Sequence, residues 1–132
     1  MVFLHPQSCP PLAERLDEYY LSNIIGNPLD TTIALAKLIF EGVLDQYDQL
    51  KILAAHGGGY LGSYAARMDR SAHVSPQNQN PQITLKKKPS AYVRQIYMDS
   101  MVFTAQGLKH LAAEVGASQL MLGSDHPIPW EE

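Results

Sequence analysis

The 132-residue sequence holds a single cysteine, Cys9. With no internal partner it forms no disulfide, so nothing points to an oxidising compartment. Cys9 is read as a buried, inert thiol rather than a nucleophile. Charge is sparse as well: 17% of residues are charged and the net charge is −3. That leaves no electrostatic case for nucleic acid or an anionic membrane as a partner. The one basic run, Lys86-Lys87-Lys88, is read as a solvated loop. No apolar stretch approaches the roughly 20 residues that span a bilayer. Met1-Val2-Phe3-Leu4 lacks a basic lead-in and runs straight into His5-Pro6, unlike a signal peptide. A cytoplasmic protein is the expectation.

What is there is globular in balance, with 45% apolar residues. Four short apolar runs stand out: Val2-Phe3-Leu4, Leu50 to Ala55, Gln95 to Met101 and Gln119 to Leu122. The second and fourth are nearly continuous, a pattern of strands covered on both faces in a parallel sheet. Helical patterns lie between them. Asp30 is placed as the N-cap of a helix through Ile33 to Phe40, with Gly42 as its stop. Leu61 to Asp69 starts a second helix. Ala105 to Val115 forms a third, with Leu108, Leu111, Ala112 and Val115 on one face, Thr104 as cap and Gly116 as terminator. The segment His73 to Pro89 is rich in Pro, Asn and Gln and reads as a long loop. Alternating strands and helices imply βαβ units in an α/β fold.

Three of the four strands end in polar residues that packing does not require. They are His5 in Leu4-His5-Pro6, His56 in Ala55-His56-Gly57-Gly58-Gly59, and Asp125 in Gly123-Ser124-Asp125-His126-Pro127. Taken singly, each has a bland reading: a hydrogen-bonded structural histidine, a turn-forming aspartate, a plain glycine loop. Their shared position favours chemistry, because the C-terminal strand ends of parallel α/β folds form the active-site face. Other candidates rank lower. His126 is placed off-site or at the rim. His73, in a loop, and His110, in a helix, are expected to be exposed. Asp99 is read as a structural carboxylate. Trp130 is assigned to a subunit contact or the barrel end, and Phe40, Tyr47 and the other aromatics to packing.

These motifs, with Asn27-Pro28-Leu29-Asp30-Thr31-Thr32 and Leu38 to Asp45, resemble the amidohydrolase-related proteins of the aminocarboxymuconate-semialdehyde decarboxylase type. The resemblance implies part of a TIM (β/α)8 barrel, with residues 1–132 supplying its fifth to eighth strands as the C-terminal portion of one domain. It implies a metal-dependent non-oxidative decarboxylase of a small aromatic or muconate-type carboxylic acid. His5 and Asp125 match metal ligands, and His56 the histidine that handles the reaction proton. Arg67 matches an arginine that reaches a partner subunit's substrate in a homodimer, though a surface salt bridge explains it equally. Imidazole and carboxylate ligands suit zinc; manganese or iron would also be accepted.

The family's first strand carries a His-x-His pair, and none occurs here. Two protein ligands fall short of the three usual for catalytic zinc. The first four strands and the closing helix are likewise absent, which predicts an uncovered inner face and two open sheet edges. Weak metal affinity and little turnover follow for the isolated chain. A hydrolase or hydratase on the same scaffold, and an inactive barrel fragment, are the alternatives.

Overall fold

A computed structural model describes residues 1–75 and 80–130, apart from the side chains of residues 72 and 73. The expected exposure of His73 and the middle of the His73–Pro89 loop therefore lie outside the described residues. Four strands, β1 (Val2–Leu4), β2 (Ile52–Ala54), β3 (Tyr97–Asp99) and β4 (Leu120–Met121), make one sheet in the order β1-β2-β3-β4. All three pairings are parallel, with Leu4 opposite Ala54, Ala54 opposite Met98, and Met98 opposite Leu120. Sequential parallel neighbours need crossovers, and helices provide them. They are α1 (Asn27–Phe40) with α2 (Val43–Gln46), α3 (Leu61–Val74) with α4 (Pro89–Tyr92), and α5 (Ala105–Val115).

One face of the sheet is filled. Ile52, Ala54 and Met98 from the strands meet Leu35 and Ile39 of α1, Leu61 and Ala65 of α3, and Leu111 and Val115 of α5. Tyr92 is fully buried among them. In α1 the buried positions Thr31, Leu35 and Ile39 recur every four residues, one stripe of an α-helix. The stripe expected on α5 holds at Leu111 and Val115, whereas Leu108 stays 37% exposed. Thr104 caps α5 as expected, accepting the Gly107 N–H at 2.9 Å.

Two boundaries differ from the sequence reading, at Asp30 and His73, and a third holds in part. Asp30 is not an N-cap: a π-helical turn at Ser22–Gly26 runs straight into α1, leaving Asp30 inside the first turn. Gly42 does stop α1, in the left-handed region at φ 70°, but α2 restarts immediately. The backbone of His73 belongs to α3 rather than to a loop.

The other side is open. β1 and β4 each pair on one side only, and Phe3 and Leu122 are 57% and 96% exposed. β2 is covered as its unbroken apolar run predicts, whereas the edge strand β4 is not. Several aromatics assigned to packing are exposed, including Tyr19, Tyr47, Tyr64 and Phe103. Cys9 is buried and free. The lysine run is anchored more firmly than a solvated loop. Lys86 binds Asp45 through its backbone N–H at 2.9 Å, and Lys87 lies over the Tyr92 ring. Among the described residues no helix is long and apolar enough to cross a membrane.

Candidate metal centre

Parallel pairing brings the ends of β1, β2 and β4 to one rim, and each end carries a polar residue. His5 follows β1, His56 lies two residues beyond β2, and Asp125 sits four beyond β4. Their donor atoms lie within 4.8 Å of one another. His5 Nε2 is 3.5 Å from Asp125 Oδ1, and His56 Nε2 is 3.7 Å from Asp125 Oδ2. The two imidazole rings are 5.0 Å apart, edge to face. Separations of this size are long for hydrogen bonds. They are close to the spacing of about 3.3 Å that two donors adopt around one tetrahedral zinc ion. The donor set therefore fits a divalent cation, with His5 and Asp125 as the nearest pair.

His56 owes its place to backbone geometry. It adopts φ +56°, and Gly57 after it φ +61°. A left-handed conformation at a non-glycine residue costs about 1–2 kcal/mol. Asp99, at the end of β3, offsets that cost. Its buried carboxylate accepts N–H groups from His56 at 3.1 Å, Gly57 at 2.8 Å and Met101 at 3.1 Å. The structural role assigned to Asp99 is observed. Gly59 closes the turn against α1, where an added Cβ would collide with the Pro28 carbonyl oxygen. Thr32 ties the same corner, accepting the Tyr60 N–H at 2.8 Å while donating to the Pro28 carbonyl at 2.7 Å. The triple glycine is thus a structural hinge for His56.

Burial lowers the His56 pKa, and the nearby His5 pushes it the same way; the Asp125 and Asp99 charges oppose them without reversing the shift. His56 Nδ1 is buried and has no hydrogen-bond partner among the described residues. The His56 and Asp125 side chains are each 12% exposed, against 46% for His5.

Asp125 also holds a left-handed backbone, at φ +56°. Its Oδ2 accepts the indole N–H of Trp130 at 2.7 Å. Trp130 in turn stacks edge-on against Phe103, with ring centroids 5.3 Å apart. The sequence carries no signal for this contact, which is neither the subunit contact nor the barrel-end cover expected of Trp130. Beside the cluster opens a cavity of about 480 Å³, walled by Ile24, Tyr60, Phe103 and Trp130 with His56 and Asp125 at its margin. Apolar walls with few polar groups are typical of small-molecule sites.

The remaining candidates fall elsewhere. Arg67 is exposed on α3, in a separate surface hollow with Phe40, Tyr64 and Val74. His126 is exposed beside Asp125 and is not part of the three-residue cluster. His110 is exposed on α5 and meets the Ser63 hydroxyl at 3.1 Å.

The family model described as amidohydrolase matches residues 1–132. The chain belongs to the amidohydrolase family. Within it, the chain is 32% identical over 139 residues to 2-amino-3-carboxymuconate-6-semialdehyde decarboxylase of Dictyostelium discoideum, covering 99% of this chain and 36% of that protein. Among solved amidohydrolase-like structures, the apo IDCase of Metarhizium anisopliae superposes with a TM-score of 0.80 at 30% identity, over 97% of this chain and 36% of that one. A dihydroxybenzoic acid decarboxylase from Polaromonas, solved with manganese and 2-nitroresorcinol, gives a TM-score of 0.78 at 25% identity, over 95% and 39%. This amidohydrolase chain thus spans little more than a third of its relatives. Its four-stranded sheet is part of a (β/α)8 barrel.

Proposed function

We propose that residues 1–132 are the second half of one amidohydrolase barrel domain, supplying its fifth to eighth strands to a metal-dependent decarboxylase. The observation that carries this reading is the meeting of His5, His56 and Asp125 at one rim beside an aromatic-walled cavity. The reaction removes carbon dioxide from a small aromatic or muconate-type acid. His5 and Asp125 hold a divalent cation, zinc by donor preference, with manganese or iron also compatible. Bound there, the cation is a Lewis acid that orients an anionic substrate.

The chain's own residues do the rest. Tyr60, Phe103 and Trp130 flank the planar substrate and keep water from its reacting face. Protonated His56 delivers a proton to the carbon bearing the carboxylate. The carbon–carbon bond breaks, its electron pair binds that proton, and carbon dioxide leaves. A lowered pKa makes the imidazolium a minor species at neutral pH but a stronger acid, which suits protonation of carbon. Arg67, exposed on α3, is assigned to the substrate carboxylate of a partner subunit in a homodimer, where a planar guanidinium binds two oxygens at once. The cytoplasm is the proposed location.

The family's general chemistry keeps hydrolysis as the second reading, and the exposed Phe3 and Leu122 favour a third, an inactive barrel fragment. The test is a product screen. The chain, alone and joined to a first barrel half bearing His-x-His, is given aromatic carboxylic acids with zinc or manganese. Carbon dioxide release without net water uptake is expected from the joined form. Hydrolysis products from that form would replace the reading with the second. No turnover from it would select the third.

A further inference from the structure

Asp125 offers two oxygens, and the structure treats them differently. Oδ1 faces His5 Nε2 at 3.5 Å, whereas Oδ2, 3.7 Å from His56 Nε2, accepts the Trp130 indole N–H at 2.7 Å. The bond to Trp130 has good hydrogen-bond length; the approach to His5 does not. Trp130 is itself braced by Phe103 at 5.3 Å and Tyr20 at 6.3 Å between ring centroids. Indole nitrogen only donates, so it satisfies a carboxylate oxygen without competing for the cation. We infer that Trp130 is the positioning residue of the metal centre, fixing Asp125 so that Oδ1 alone is presented toward His5. The inference rests on the proposed cation site and adds the residue that tunes it.

Partners that orient a metal-binding carboxylate commonly govern affinity by about 10–100-fold. Trp130 would then serve two ends, since the same indole walls the 480 Å³ cavity. A substrate displacing the ring would loosen the ligand as well.

Trp130 is the one tryptophan of the chain, which makes the test clean. Labelling with 15N-indole gives a single side-chain resonance. In metal-free protein it is expected to lie downfield and to move upfield in Asp125→Ala; an unmoved resonance overturns the inference. Zinc affinity is then measured for the wild-type chain and for two forms lacking the N–H. One is Trp130→Phe. The other replaces tryptophan with benzothienylalanine, which keeps the shape and substitutes sulfur for the N–H. Weakening of about 10–100-fold in the isostere, with an unchanged thermal midpoint, is the expected result. Wild-type affinity in the isostere overturns the role of Trp130 even if Trp130→Phe is impaired through packing. Failure of the underlying cation site looks different. In that case the wild type binds no zinc, or His5→Ala and Asp125→Ala bind it as well as the wild type does.

Discussion

Asp99 reaches across from β3 and holds His56 by its backbone, accepting the His56 N–H at 3.1 Å and the Gly57 N–H at 2.8 Å. Asp99→Ala leaves the buried Gly57 N–H and the part-buried His56 N–H without a partner, at about 1–3 kcal/mol for a fully buried donor. Urea unfolding should show a loss of at least about 2 kcal/mol by that reasoning. Asp99→Asn keeps one acceptor oxygen and should lose less. Equal stability of Asp99→Ala and the wild type would contradict the clamp.

His5 and Asp125 differ from His56 in what their removal does. His5→Ala and Asp125→Ala should each weaken zinc or manganese binding at least about 100-fold, because each takes away a donor atom from an already sparse set. His56→Gln should leave binding nearly intact. In the joined barrel it should slow turnover by about 100- to 10,000-fold, the usual contribution of a positioned proton donor. Calorimetric titration and a carbon dioxide assay separate the two classes.

Acid should unfold the chain through two carboxylates remote from the site. Burial pushes the Asp45 carboxyl up, but the Tyr92 hydroxyl at 2.6 Å, the Lys86 N–H and the Lys86 and Lys87 charges together hold it below its ordinary value. Asp69 is lowered in the same way: burial raises it, but the Ser90 N–H and hydroxyl together with the Lys88 and Arg70 charges outweigh that effect. Depressed folded values mean that both contributions are complete above the unfolded pKa of about 3.9. They are lost as pH falls below it, through the folded values. Asp45→Asn and Asp69→Asn should therefore lower the urea midpoint at pH 6 and leave it little changed near pH 2. A midpoint shift of equal size at both pH values would refute the linkage.

Two glycines separated by three positions should respond oppositely to alanine. At Gly59, φ is +65° and a Cβ would strike the Pro28 carbonyl, so Gly59→Ala should destabilise by more than about 2 kcal/mol. At Gly62, within α3, the nearest atom to an added Cβ is Leu111 Cδ1 at 3.5 Å, an ordinary contact. Gly62→Ala should be neutral or gain about 0.5–1 kcal/mol from helix propensity. Thermal unfolding of both variants checks the contrast.

The sheet was legible because its signals are local. Short apolar runs ended in His5, His56 and Asp125, and Thr104 and Gly116 bracketed α5 with ordinary cap chemistry. What escaped the sequence depends on pairing across space. Trp130 meets Asp125, five positions before it, only through the turn between them, where the Ile128 N–H bonds the Asp125 carbonyl, and no composition rule marks such a turn as a contact. The left-handed backbone at His56 was hidden because it is upheld by Asp99, 43 positions away. Asp30 misled as a helix start because the π-helical turn before Asn27 already supplies the preceding helical backbone. Arg67 is exposed on α3 in a hollow apart from the cluster, so the fold of this chain does not bring it to the site.

His56 and Asp125 share one further trait, φ +56°, a shape that glycine would adopt with less strain. Replacing either residue with glycine relieves that strain while erasing its side chain. A screen that rewards heat resistance alone would therefore tend to discard this pair, and a screen for chemistry would keep it. Running the two selections side by side would show whether the chain trades endurance for reactivity.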